Sequence, residues 1–266
     1  MAPEFSEIIY EKHHRVRGAA WITINRPQVM NAFTGHTLGE MRQAVDDACA
    51  DPEVGVIVIT GSGDRAFCAG GDVRWLMEVQ REGASMGTGD PHAGIEDCLK
   101  PVIARVNGYC IGGGNHLAYF CDFTIACQEH ARFAQVGPRV GSPAAGYFVA
   151  YLTHVVGAKK AKEIWMMCRQ YGAQEALGMG LINAAVPHDK LDEEVDKWCT
   201  ELIQKSPTCL KILKASFRTL YEPLRQASRR NWVAEISPEF FRSGEADEGK
   251  KAFLERREPD FSPYPR

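Results

Sequence analysis

The chain has 266 residues, 45% of them hydrophobic and 24% charged, which is apolar material enough for a sizeable buried core without disulfide or metal staples. Lysine and arginine number 31 against 34 aspartate and glutamate, a net charge of -3, and no stretch gathers the basic residues into a stripe, so no nucleic-acid partner is expected. The longest apolar runs, such as 54–60, fall far short of the ~20 residues of a membrane span, and residues 1–11 lack the layout of a secretory signal, so the expectation is a cytoplasmic protein with no membrane partner.

Residues 19–25 (AAWITIN) read as a strand that ends at Arg26 and Pro27, and 37–49 carries Leu38, Met41, Val45 and Ala48 at helical spacing. The β-branched run 54–60 reads as a strand buried on both faces. A turn follows, and the chain enters a helix near Val73; residues 81–94 (REGASMGTGDPHAG) then read as a mobile surface loop. Beyond it come a strand at 101–106, a helix at 112–120 opened by three glycines, a strand at 122–127, a break at 141–146 (GSPAAG) and a helix from Tyr147. Helices at 159–169 and 173–179, a strand at 181–186, and long helices at 191–205 and 207–221 complete an α/β layer with a helical tail. The nine cysteines (49, 68, 98, 110, 121, 127, 168, 199 and 209) contain no CxxC pair and read as reduced, mostly buried small hydrophobes, with no metal site among them.

Two segments share a design of strand, glycine turn and helix start: Phe67 to Asp72 (FCAGGD) and Tyr109 to Asn115 (YCIGGGN). Glycine allows close approach to a ligand, and a helix's first turn leaves N–H groups unpaired and partly positive; two such ends facing one point make an oxyanion hole. The same glycines equally suit tight turns and close helix–sheet packing. The run at 112–114 lacks the full GxGxxG spacing of a dinucleotide site, and no GxxxxGK[ST] loop is present.

Taken together, 25–33 (NRPQVMNAF), 66–72 (AFCAGGD), 101–109 (PVIARVNGY), 111–114 (IGGG) and 121–122 (CD) resemble the crotonase (enoyl-CoA hydratase/isomerase) superfamily over nearly the whole chain. Within it, 133–142 (FAQVGPRVGS), 159–165 (KKAKEIW) and 256–262 (RREPDFS) most resemble naphthoate synthases and the ring-opening 2-oxocyclohexanecarboxyl-CoA hydrolases. The resemblance implies an α/β fold, a crotonase-type spiral of ββα units over residues 1–205 with the acyl-CoA site, and a helical region at 206–266 that builds a homotrimer or a dimer of trimers. Coenzyme A enters as part of the substrate rather than as a tightly bound cofactor. Carried over by position, the amides of Gly71 and Gly113 hold the thioester oxygen, Ser142 orients the acyl group, and Ala69, Gly70, Asp72, Tyr109, Ile111 and Gly112 line the site. Arg256 matches a basic residue near the CoA phosphates; its plain alternative is a solvated tail charge.

The sequence also departs from the superfamily's pattern. The two glutamates with which hydratases activate water are replaced by His116 and Gly137. His116 is a candidate general base, since an imidazole titrates near neutrality; the alternative is a hydrogen-bonded core histidine. Gly137 beside Gln135 and Trp165 matches naphthoate synthases in which a bound bicarbonate replaces the missing carboxylate, so the resemblance implies an anion such as bicarbonate, or an ordered water, near Gln135 and Gly137. An aspartate and a late tyrosine of that branch are replaced by Ala144 and Phe241, while 143–146 (PAAG) looks somewhat closer to 6-oxocyclohexene-carbonyl-CoA hydrolases. Ring opening of a cyclic oxoacyl-CoA by water is the first expectation. Hydration, isomerisation or naphthoate-type ring closure is the second, and a non-catalytic oligomer binding CoA esters or RNA is the third.

Overall fold

The computed structural model describes residues 5–81, 91–144, 146–227 and 232–264. In chain order the elements are β1 (Ile8–Lys12), β2 (Ala19–Ile24), α1 (Gly35–Ala50), β3 (Val56–Gly61), β4 (Ala66–Cys68), α2 (Val73–Arg81), α3 (Pro91–Asp97), β5 (Val102–Val106), β6 (Tyr109–Ile111), α4 (Gly113–Phe120), β7 (Phe123–Cys127) and β8 (Arg132–Ala134). They continue as α5 (Tyr147–Val156), α6 (Ala158–Met167), β9 (Gln170–Gly172), α7 (Ala173–Gly178), β10 (Ala184–Val186), α8 (Leu191–Ile203), α9 (Pro207–Ala227), α10 (Trp232–Ile236) and α11 (Glu245–Glu255).

The strands form two sheets, ordered β1-β2-β3-β5-β7-β10 and β4-β6-β8-β9. Successive turns of the chain add one longer strand to the first sheet and one three-residue strand to the second: β3 then β4, β5 then β6, β7 then β8. Apart from the antiparallel pairs β1–β2 and β8–β9 the ladders are parallel, and the result is the expected spiral. The unbroken apolar run in β3 follows from burial on both faces. Val56 and Val58 join a cluster with Leu191, Val195 and Cys199 of α8, whereas Ile57 and Ile59 face the main core with Phe67 and Phe133. α1 begins at the cap residue Thr34, whose hydroxyl accepts from the Thr37 amide while Thr37 returns a bond to the Thr34 amide.

Several expectations are corrected here. Cys49 and Cys98 are joined in a disulfide, not reduced, because α1 packs beside α3 and brings their Cα atoms to 5.9 Å; the other seven cysteines are free. Of the loop expected at 81–94, residue 81 ends α2, 91–94 belong to α3, and the rest lies outside the described residues. The strand expected at 181–186 forms only over Ala184–Val186. α9 runs six residues past Tyr221, with Pro223 inside it. The second sheet was legible only as glycine-bearing turns, since strands of three residues are too short to show a period of two.

Candidate active site

The site is built where the short strands end. β4 and β6 lie parallel and adjacent, and each delivers its glycine segment to the same side of the sheet. At Gly70 φ is +93°, and a Cβ there would sit 3.0 Å from the Ile111 carbonyl oxygen and 3.1 Å from the Gly113 nitrogen. A Cβ at Gly114 would lie 2.0 Å from the Cys68 carbonyl oxygen. These positions have to be glycine for the two turns to meet.

The meeting aims two amides. Phe33 N donates to Gly70 O at 2.8 Å and Asp72 N donates to Phe33 O at 2.8 Å, so the Gly71 N–H between them points away from that bridge. Gly113 is the first residue of α4, where an amide has no partner within the helix. Among the described residues neither N–H meets an acceptor, and both glycines line one cleft of about 750 Å³.

His116 stands one turn further along α4, half-buried and facing the same cleft. Its ring stacks on Phe148 at 5.3 Å between centroids and 5° between planes, with Trp165 and Tyr119 each at 5.5 Å. Tyr119 donates its hydroxyl to the Phe148 carbonyl at 2.9 Å, which fixes the stacking partner. Burial pushes the Tyr119 phenol well up and the Cys68 thiol up to about 12, so neither ionises near neutral pH. The same cleft is lined by Gln135 and Trp165, 1% and 7% exposed, whose Nε2 and Nε1 are buried donors with no acceptor among the described residues. Gly137 sits beside Trp165, and a Cβ on it would press within 2.7 Å of the Ser142 carbonyl oxygen. The Ser142 amide closes this loop onto the Gly137 carbonyl at 2.9 Å.

The structure thus gathers Ala69, Gly70, Gly71, Tyr109, Ile111, Gly112, Gly113, His116, Gln135, Gly137, Ser142, Trp165 and Arg256 around one cleft. Asp72 is the exception and is corrected: its carboxylate accepts from Arg26 at 3.3 Å and from the Arg74 amide at 3.0 Å, starting α2 outside the cleft lining. Sequence reasoning missed Met30, Leu76, Val136, Lys250 and Phe253 as lining residues. For the last two a signal existed: Gly249, Lys250, Phe253 and Arg256 recur at helical spacing on and just after α11, whose inner face closes the cleft. At the mouth the exposed Arg139 and Glu258 pair at 2.8 Å, and the exposed Arg257 pairs with the half-buried Glu248 at 2.6 Å. Glu258 is the one carboxylate among the described lining residues.

A two-sheet spiral holding a pair of unengaged amides over an apolar cleft defines the crotonase class of acyl-CoA enzymes. The chain belongs to the enoyl-CoA hydratase/isomerase family, whose model matches residues 14–263. Among solved structures it is similar to the carnitinyl-CoA hydratase from Mycobacterium avium, at 30% identity over 97% of this chain and 98% of that one, with a TM-score of 0.81. An enoyl-CoA hydratase/isomerase from Xanthobacter autotrophicus Py2 matches at 31% identity over 95% and 93%, with a TM-score of 0.78. A methylmalonyl-CoA decarboxylase in complex with 2-nitronate-propionyl-CoA matches at 25% identity over 97% and 99%, with a TM-score of 0.84. No described helix is long and apolar enough to cross a membrane.

Proposed function

We propose that this acyl-CoA enzyme opens the ring of a cyclic oxoacyl-CoA with water. The carrying observation is the pairing of two unengaged amides with a cleft whose inner end holds an imidazole and no carboxylate. Water adds to the ring ketone as His116 takes its proton, and the bond from the former ketone carbon to the α carbon breaks. The released electron pair spreads onto the thioester oxygen, where the Gly71 and Gly113 amides face it. The proton then returns to the α carbon, leaving a carboxylic acid and an intact CoA thioester. Prearranged dipoles suit this step because they need not reorient as the enolate forms, and one such donor is typically worth ~3–4 kcal/mol. The aromatic walls, Phe148 and Trp165, offer flat apolar surface to a ring, and Ser142 lines the cleft where an acyl group would be oriented.

The buried donors of Gln135 and Trp165, beside a residue without a side chain, fit a small oxyanion such as bicarbonate. When bound, such an anion would supply a second base near His116 and satisfy two N–H groups that are costly to bury unpaired. The row of Ile212, Leu213, Phe217 and Leu220 on α9, each more than half exposed, suits contact with further copies of the chain and supports the homotrimer or dimer of trimers. Light scattering of the purified protein tests it, and a monomer would refute it.

The reaction is tested by mass spectrometry of the protein with crotonyl-CoA, 2-oxocyclohexanecarboxyl-CoA, its unsaturated 6-oxo relative and succinylbenzoyl-CoA. Gain of one water by a cyclic oxo ester, with CoA retained and a new carboxylate present, is the expected result. Gain of water by crotonyl-CoA alone favours the hydratase reading suggested by the names of two structural relatives. Loss of water from succinylbenzoyl-CoA favours ring closure.

A further inference from the structure

The two amides of the cleft come from separate segments of the chain, and Phe33 touches both. Phe33 is 8% exposed and lies outside the cleft lining. Its backbone forms a parallel bridge to Gly71, donating to the Gly70 carbonyl and accepting from the Asp72 amide, each at 2.8 Å. Its ring reaches the other segment: a Cβ on Gly113 would lie 2.5 Å from the ring Cζ and 2.7 Å from Cε1. The ring therefore fills the space beside Gly113, the first residue of α4.

Residues 26–33 follow an unusual path to reach this position. Met30 and Asn31 both have left-handed backbone, with φ of +57° and +54°, a conformation that side chains disfavour and that asparagine tolerates better than methionine. Asn31 is 1% exposed; its side chain accepts from the Arg26 amide at 3.0 Å and donates to the Ser62 and Ala66 carbonyls at 3.0 and 2.8 Å. The Ala69 amide donates to the Met30 carbonyl at 3.1 Å, and the Arg26 guanidinium donates to the Asp72 carboxylate at 3.3 Å. Strained backbone persists where its surroundings over-determine it, and the bonds to Ser62, Ala66, Ala69 and Asp72 fasten this segment along β4 and the turn after it. What the fastening achieves is the placement of Phe33 between two donors whose strength depends on distance and angle.

We propose that Phe33 is a positioning residue for the thioester oxygen: its backbone aims the Gly71 N–H, and its ring, packed against the start of α4, sets the spacing from there to the Gly113 N–H. The assignment deepens the reading in which these two amides hold that oxygen and rests on it, whichever bond of the acyl group then reacts. Because Phe33 lies outside the lining, loss of its ring should cost polarisation of the thioester carbonyl rather than affinity for the ester.

Isotope-edited infrared spectroscopy of bound heptanoyl-CoA, carbon-13 labelled at the thioester carbonyl, reads that polarisation without turnover. On wild-type protein the carbonyl stretch should fall below its frequency in water. Phe33→Ala should lose at least about half of that downshift while the dissociation constant of the ester changes less than about threefold. Where Phe33→Ala is misfolded by circular dichroism, Phe33→Leu is read in the same way. Gly113→Ala alone should lose most of the downshift. With the ring gone its methyl has room, so Gly113→Ala combined with the Phe33 substitution should lose no more than the Phe33 substitution alone. A full downshift in the Phe33 variants, or losses that add in the combined variant, overturns the proposal while leaving the amides their role. No downshift on wild-type protein removes that role and the proposal together. A downshift that depends on the Phe33 ring, with no cyclic ester gaining water, leaves this assignment standing and removes ring opening.

Discussion

The inner end of the cleft and its mouth handle polarity in opposite ways. Inside, the polar groups that face the cavity are mainly backbone amides, one imidazole and the buried side-chain donors of Gln135 and Trp165, all held by packing. At the mouth, the exposed Arg139 and Glu258 pair with each other in solvent, and the exposed Arg257 pairs with the half-buried Glu248. In a low-dielectric pocket an aligned dipole acts strongly, whereas exposed ion pairs are screened to about 1 kcal/mol or less. Changes inside should therefore act on the chemical step, and changes at the mouth on binding, weakly and with a salt dependence.

The sharpest way to break that division is Gly113→Ala. Its Cβ would fall 2.5 Å from the Phe33 ring, so the ring or the amide must move. Turnover of the acyl-CoA substrate should fall by about 10²- to 10³-fold with a smaller change in KM. An unchanged kcat would show that this amide does not face the developing charge. Next is His116→Ala, expected to lower kcat by about 10²-fold or more. A loss under about tenfold would place His116 among packing residues, held by Phe148 and Trp165.

At the mouth, Arg256→Ala should raise KM for the CoA ester by about two- to fivefold, and the difference should shrink in high salt. Steady-state kinetics at two ionic strengths checks this; a large drop in kcat would place Arg256 in the chemical step rather than at the mouth. The smallest effect concerns the tail. The Arg257 guanidinium, together with the Asp260 amide, holds the Glu248 carboxyl down at about 2 from an ordinary 4.5. A carboxyl depressed on folding contributes stability above its unfolded pKa, and that contribution is lost as pH falls. Docking of residues 257–260 onto α11 should therefore loosen between about pH 4.5 and 2, read as faster hydrogen exchange at the Asp260 amide, and Glu248→Gln should abolish the transition.

Much of the site was legible because its chemistry is local. Glycines at 70, 71, 113 and 114 follow short strands directly, and the geometry explains the residue type at most of them: a positive φ at Gly70, and backbone or ring atoms where a Cβ of Gly113 or Gly114 would be. His116 follows from its place one turn after Gly113. Asp72 misled because its neighbours in sequence face the cleft while its own carboxylate is taken by Arg26, 46 residues earlier. Helical spacing puts Lys250 and Phe253 on one face of α11, but spacing along a helix does not say that this face folds back onto Val140 and Gly141.

The sequence by itself determined what depends on neighbours along the chain: the doubly buried β3, the amphipathic helices, the tight glycine turns and the membership in an acyl-CoA family. Tertiary structure alone decided which distant groups meet. The Cys49–Cys98 disulfide, the Asp72–Arg26 pair and the return of α11 to the cleft each join residues tens to over a hundred positions apart. Periodicity and propensity act over a few residues, whereas such meetings are set by the order in which strands stack in the two sheets.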